Sequence, residues 1–194
     1  MIRELKMTTN AENVAEEILY LFETYGSGSY ENQGISYASH MIQCAMLAMK
    51  EDTSDLPVII SALLHDIGYL LKHEQNTEAM GLYGVVGHES IGATYLRMKG
   101  FSEHVCAIVE HHEAAKQYLL ITDKAYRAKL SPANLQALQW QDEPMTLEET
   151  FAFEQNPYFD DIIKVVNWDE AARNKAVALI PAISFKKMLI DHLR

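Results

Sequence analysis

Apolar residues recur along this chain at the three- and four-residue spacing of amphipathic helices, and no segment shows the clear alternation of a strand. The pattern predicts helices over residues 10–25, about 36–50, about 54–64, 88–99 and from 102 onward. Further helices are predicted from 131, from the capping box Thr146-Leu147-Glu148-Glu149, over about 158–173 and from 184. Residues 26–34 are expected to form a flexible lid, and residues 72–87 a long loop. The predicted fold class is all-α, with a single domain over residues 1–194.

Composition limits the possible partners. A chain of 194 residues with 48% hydrophobic content can bury a core without disulfides or structural staples. Its formal net charge of -11 argues against nucleic acid, because a phosphate backbone requires a basic surface. There is no apolar run of membrane-spanning length and no signal-peptide pattern, so a cytoplasmic protein that does not engage a membrane is expected. Cys44 and Cys106 lie among apolar residues and are expected to be buried free thiols.

The helix beginning at residue 102 carries the first chemical signal. With Val105 placed at zero degrees, His112 falls at about 340°, in the centre of the apolar face, and Lys116 at about 20°. His111 falls at about 240°, on the flank. A single buried histidine is more often a core residue than a ligand. A lysine one turn later on the same face is more informative, because a buried ammonium needs an anionic partner unless it reaches solvent.

Other helices place similar side chains toward the core. His65-Asp66 follows an apolar helical run, and adjacent helical residues point about 100° apart, so the two side chains can hold neighbouring metal ions. The simpler interpretation is a helix that ends in polar residues. Four inward histidines with two carboxylates instead indicate a metal site, most simply a dinuclear site bridged by Asp66. The full candidate set is His40, His65, Asp66, His88, His112 and Asp169; His73, His104 and His192 are expected to lie elsewhere.

The order His, His-Asp, His, His, Asp on an all-α chain resembles the HD-domain superfamily of metal-dependent phosphohydrolases, which are helical bundles with a metal site in the core. Within that superfamily the chain is most similar to the mixed-valent di-iron oxygenases that cleave the C–P bond of hydroxylated phosphonates. The likeness covers almost the whole chain and is specific at four places. These are Tyr30 ten residues ahead of His40-Met41-Ile42-Gln43-Cys44, His88-Glu89-Ser90-Ile91-Gly92-Ala93, His112 to Leu119, and the tail from Leu138 to Trp168-Asp169-Glu170-Ala171-Ala172.

This resemblance implies two iron ions, Fe(II) and Fe(III), with dioxygen as co-substrate and a small organophosphonate as substrate. All six candidate ligands would bind iron, with Asp66 bridging. Tyr30 would be a catalytic lid residue that occupies the iron site until substrate displaces it, and Lys116 would hold the phosphonate. The predicted substrate contacts are Tyr30, Gln33, Tyr69, Lys116 and Asn134.

Three departures from the family pattern concern the part of the substrate opposite the phosphonate, which carries the amino or trimethylammonio group. Gln33 stands where relatives acting on 2-amino-1-hydroxyethylphosphonate carry Glu, and Tyr69 stands where some members carry His. Val166-Asn167 replaces a frequent Arg-Arg. A trimethylammonium group has no N–H to donate and is better held by aromatic faces than by a hydrogen-bonding carboxylate. The sequence therefore suggests 1-hydroxy-2-(trimethylammonio)ethylphosphonate as substrate, giving glycine betaine and phosphate, with the primary-amine analogue as the alternative.

Two other functions remain open at this stage. One is a hydrolytic HD enzyme, either a nucleotide phosphohydrolase or a phosphodiesterase, with the same ligand set. His111-His112-Glu113 is similar to the cyclic-dinucleotide phosphodiesterase branch, but the Gly-Tyr-Pro element of that branch is absent and His111 lies off the apolar face. The other is a regulatory or degenerate metal-binding domain, against which the complete ligand set argues.

Overall fold

The computed structural model of the protein describes residues 2–30, 34–51, 55–75, 87–130 and 145–194, and in these ranges the chain folds into helices. No strand is found in these ranges apart from an isolated antiparallel bridge between Ser29 and Ser36, so the all-α prediction is confirmed. A short 3₁₀ helix, Ala182–Phe185, precedes the last α-helix. The α-helices of the described residues are α1 (Ile2–Tyr25), α2 (Tyr37–Lys50), α3 (Leu56–Leu64), α4 (Ile67–Gln75), α5 (His88–Lys99), α6 (Glu103–Thr122), α7 (Lys124–Lys129), α8 (Leu147–Glu154), α9 (Phe159–Ala171) and α10 (Lys186–His192).

Local sequence signals determine several of these helix ends. The Ser102 hydroxyl accepts a hydrogen bond from the Val105 amide at 3.4 Å at the start of α6. Thr146 and Glu149 form the predicted capping box ahead of α8. Gly100 ends α5 in the left-handed conformation with φ of 90°, which costs glycine no steric strain.

The predicted boundaries are wrong at three places. Helix α1 begins at Ile2 rather than near residue 10, and α9 ends at Ala171 rather than near 173. Residues 72–75 belong to α4 rather than to a loop, because Lys, Glu and Gln form helix well even without an apolar period. The rest of the predicted loop, residues 76–86, and the helix predicted from 131 lie outside the described residues, as do Gln33 and Asn134.

The helices pack around two apolar clusters. One cluster joins α1, α4, α5 and α10, and the other joins α7, α8 and α9, while α2, α3 and α6 contribute to both. Cys44 and Cys106 are buried free thiols, as predicted. No helix among the described residues is long and apolar enough to cross a membrane. Two of the shared helices, α2 and α6, also bury His40 and His112 among these apolar residues.

Gly68 marks the closest approach between α4 and the start of α5. A Cβ built on Gly68 would lie 2.0 Å from the carbonyl oxygen of His88, which is backbone and cannot rotate away. Because His88 is a candidate ligand, this contact couples the spacing of the two helices to the position of its ring. Only glycine fits here without displacing α5.

We expect Gly68→Ala to destabilise the fold by about 1–3 kcal/mol, the usual cost of overpacking, and to reduce metal content by moving His88. Urea unfolding and metal analysis of the purified variant measure both effects. Gly87→Ala is the matched control, because a Cβ there meets no atom within 4 Å and adds only the strain of φ 70°. Equal stability and metal content for the two variants would contradict the close-approach argument.

Candidate metal centre

All six residues predicted as ligands meet in the core. Each is at most 2% exposed, and they come from five different parts of the fold. His65 and Asp66 form the turn between α3 and α4, where the apolar run ends, and His88 is the first residue of α5. The remaining three are supplied by α2, α6 and α9, and these are His40, His112 and Asp169.

The first group of donor atoms surrounds one Asp66 oxygen. His40 Nε2 and His65 Nε2 lie 3.2 Å apart. Asp66 Oδ2 lies 3.6 Å from the first and 3.3 Å from the second. Asp169 Oδ1 approaches His40 Nε2 to 3.0 Å. Metal–ligand bonds of about 2.1 Å place neighbouring ligand atoms roughly 3.0–3.5 Å apart, so this spacing suits one ion.

The second group surrounds the other oxygen of the same carboxylate. His88 Nε2 and His112 Nε2 lie 3.2 Å apart. Asp66 Oδ1 lies 3.2 Å from His88 Nε2 and 3.5 Å from His112 Nε2. The Asp66 carboxylate therefore presents one oxygen to each pair of histidines, which is the arrangement of a bridging ligand.

Hydrogen bonds orient the histidine rings with Nε2 toward the centre. The Nδ1–H groups of His40, His65 and His112 point at the carbonyl oxygens of Ala172, Ala62 and Val109, at 3.0, 2.9 and 2.7 Å respectively. Donation through Nδ1 leaves a lone pair on each Nε2. In the neutral rings these lone pairs would point into the space between the groups, where a bound cation could accept them.

Two buried oxygens support the same conclusion. Asp66 Oδ2 and Asp169 Oδ1 have no hydrogen-bond donor within the part of the chain that the structure describes. A buried carboxylate without a donor is costly unless a cation balances it. Each group holds two histidines and an Asp66 oxygen, and the first adds Asp169; two histidines with a carboxylate is a donor set that non-haem iron accepts, so the residues present fit two iron ions.

Lys116 connects the two groups. Its Nζ lies 2.8 Å from Asp169 Oδ2 and 2.6 Å from Glu113 Oε1, and the side chain is buried rather than extended to solvent. Burial alone would lower the pKa of Lys116, but the carboxylates of Asp169 and Glu113 outweigh it and hold that pKa well above its usual value. The ammonium therefore stays charged at the centre.

Glu113 is a residue of the candidate centre that sequence analysis missed. Its Oε1 lies 3.3 Å from His112 Nε2 and 3.7 Å from His88 Nε2, so it belongs to the second group as well as to the Lys116 pair. Burial would raise the pKa of Glu113, but the Lys116 charge dominates and lowers it strongly. At about 80° on the α6 wheel, Glu113 falls at the margin of the apolar face. The one available signal was its three-residue spacing to Lys116.

Tyrosine rings cover one side of the centre. The Tyr30 ring stacks on His40 with centroids 3.8 Å apart. Tyr69 lies between two rings, 4.9 Å from Tyr37 and 4.2 Å from His88, and stacks on both. Tyr69 therefore links the Tyr37 ring of α2 to the His88 ring of α5 beside the centre.

Three other histidines, His104, His111 and His192, make their contacts outside the centre. His111 Nδ1 lies 2.8 Å from the Ala107 carbonyl oxygen, away from the centre, as its helical phase predicts. His104 pairs with Asp161 at 2.9 Å, and the amide of Ser102 donates to His192 Nε2. His73 lies in α4.

Comparison with known proteins assigns the chain to a family. The HD domain model matches residues 37–154, and the chain belongs to the HD-domain family. It is 34% identical over 169 residues to [1-hydroxy-2-(trimethylamino)ethyl]phosphonate dioxygenase (glycine-betaine-forming) of Leisingera caerulea, covering 84% of this chain and 82% of that protein. It is 32% identical over 165 residues to hydroxymethylphosphonate dioxygenase of Gimesia maris, covering 84% and 81%. An uncharacterised protein of Acanthamoeba polyphaga mimivirus is 32% identical over 176 residues, covering 91% and 80%.

Proposed function

We propose that this protein is a di-iron dioxygenase that cleaves the C–P bond of a hydroxylated phosphonate. The observation that carries the proposal is the Asp66 carboxylate, whose two oxygens face two separate histidine pairs. Kinship to two phosphonate dioxygenases supports the reaction class. One iron would be held by His40, His65, Asp66 and Asp169, and the other by Asp66, His88 and His112.

The protein's own residues supply charge and position for this reaction. Bound iron would provide the redox chemistry and the activation of dioxygen. Lys116 is placed to bind an anionic phosphonate, because its charged ammonium lies beside both groups of ligands. Tyr30, buried and stacked on His40, is proposed as the lid residue that covers the first iron and moves when substrate binds.

For the far end of the substrate we propose a trimethylammonium group. Gln33 offers no negative charge to pair with a primary ammonium, and the Leisingera caerulea relative is named for the trimethylated compound. Tyr30 and Tyr37 pack edge to face with centroids 5.9 Å apart beside the candidate centre. Aromatic faces attract a desolvated cation by about 0.5–2 kcal/mol each. We propose Tyr30 and Tyr37 for this role; the guanidinium carbon of Arg173 already lies 5.9 Å from the Tyr30 ring centroid, so this ring can accept a cation.

The activity is tested by measuring phosphate release from 1-hydroxy-2-(trimethylammonio)ethylphosphonate with iron-loaded protein, in air and under anaerobic conditions. We expect phosphate release and oxygen consumption in equal amounts, and neither without oxygen. Phosphate release at the same rate without oxygen would overturn the oxygenase proposal in favour of a hydrolytic HD enzyme, which needs no oxidant.

The choice of substrate is tested by competing the trimethylated and primary-amine hydroxyphosphonates in one reaction, with hydroxymethylphosphonate as the control that lacks any ammonium. We expect the trimethylated compound to have the highest kcat/KM. A higher kcat/KM for the primary amine or for hydroxymethylphosphonate would reject the trimethylammonium assignment and leave the oxygenase proposal standing.

A further inference from the structure

Glu113 contacts both the Lys116 ammonium and the second group of candidate ligands. Its Oε1 lies 2.6 Å from the Lys116 ammonium and 3.3 Å from His112 Nε2, so one oxygen contacts both the cation and the second group of ligands. A phosphonate or phosphate oxygen bound to Lys116 at the second metal position would need the same volume. An anion oxygen at that position would have to displace Glu113 Oε1.

Glu113 also differs from the other carboxylates of the centre in its access to solvent. Its side chain is 16% exposed, whereas those of Asp66 and Asp169 are 2% and 0% exposed. The second group retains two histidines and an Asp66 oxygen without it. An outward rotation of Glu113 would leave that three-residue set complete.

We propose that Glu113 is an internal placeholder: its carboxylate holds Lys116 and the second metal position until an anionic substrate displaces it. The inference rests on the proposed function for the identity of the substrate, but the competition itself requires only an anion. A placeholder keeps the ammonium paired and oriented in the resting protein. The same contact lowers the affinity of the centre for an anion, because each incoming anion must first break the Glu113 contact with Lys116.

Inorganic phosphate is the probe that tests this role. We expect Glu113→Gln to bind phosphate about tenfold more tightly than the unaltered protein in calorimetric titration of the metal-loaded forms, because the variant removes a charged competitor for Lys116. Metal content should stay unchanged. Glu110→Gln is the matched control: it removes a carboxylate one turn earlier on α6, where Glu110 pairs with Arg97 at the surface, and it should leave phosphate affinity unchanged.

Unchanged or weaker phosphate binding by Glu113→Gln would overturn the placeholder role. Loss of metal from that variant would overturn it too, because Glu113 would then be a permanent ligand. Tighter phosphate binding in Glu113→Gln, with no phosphonate turned over by either protein, would support the placeholder and reject the proposed function. The two proposals can therefore fail separately.

Discussion

Asp66→Ala is expected to remove both metal ions together, lowering the iron content from about two per chain to nearly none. One carboxylate oxygen faces His40 and His65, and the other faces His88 and His112, so the substitution removes a ligand from both groups. Loss of an outer hydrogen-bond partner of a metal ligand already costs about 10- to 100-fold in affinity, and loss of a bridging ligand should cost at least as much at each position.

Iron analysis of the purified variant checks this expectation. A far-ultraviolet circular dichroism spectrum of the same sample confirms that the helices form. Asp161→Ala is a suitable control, because Asp161 is a carboxylate of α9 that pairs with His104 and Lys164 away from the centre. The control should keep about two irons per chain. A protein that binds a single zinc ion and keeps it in Asp66→Ala would refute the dinuclear assignment.

The candidate metal centre could be predicted from the sequence because most of its residues lie on helices with a clear apolar period. His112 and Lys116 fall on the apolar face of α6, and the structure buries both. The His65-Asp66 pair was visible because an apolar run ends there, and the structure forms a turn at that point. Helical phase thus indicated which side chains face inward, and the order of residue types indicated what they could hold together.

Other features depend on contacts between helices, which periodicity does not encode. The distances that place Glu113 in the second group arise from the packing of α5 against α6, since His88 and His112 come from different helices. The stacking of Tyr69 between Tyr37 and His88 likewise joins residues from α2, α4 and α5. The loop prediction for residues 72–75 was wrong for a different reason. These residues are helical but polar, so they carry no apolar period from which a helix could be predicted. The single-domain organisation, the roles of the six metal-ligand candidates and the substrate contacts stay predictions; those contacts are Tyr30, Gln33, Tyr69, Lys116 and Asn134.

Lys116→Ala is expected to lower kcat/KM for the phosphonate by about 100-fold or more while leaving both irons in place. The ammonium is buried at the centre and charged, and a charge-assisted contact to a desolvated anion contributes about 2–3 kcal/mol, or close to two powers of ten in rate. Iron should remain because Lys116 contacts Asp169 Oδ2, while the oxygen that faces His40 is Oδ1.

Steady-state kinetics and iron analysis of the same preparation separate this effect from loss of metal. Thermal unfolding of the iron-loaded variant shows whether Asp169, left without its ammonium partner, also weakens the fold. His111→Ala is the control on the same helix, because His111 bonds to the Ala107 carbonyl away from the centre; its kcat/KM should stay within about twofold of the unaltered protein. Unchanged kinetics in Lys116→Ala would show that this ammonium only balances Asp169 and Glu113, and that the phosphonate is bound by other groups.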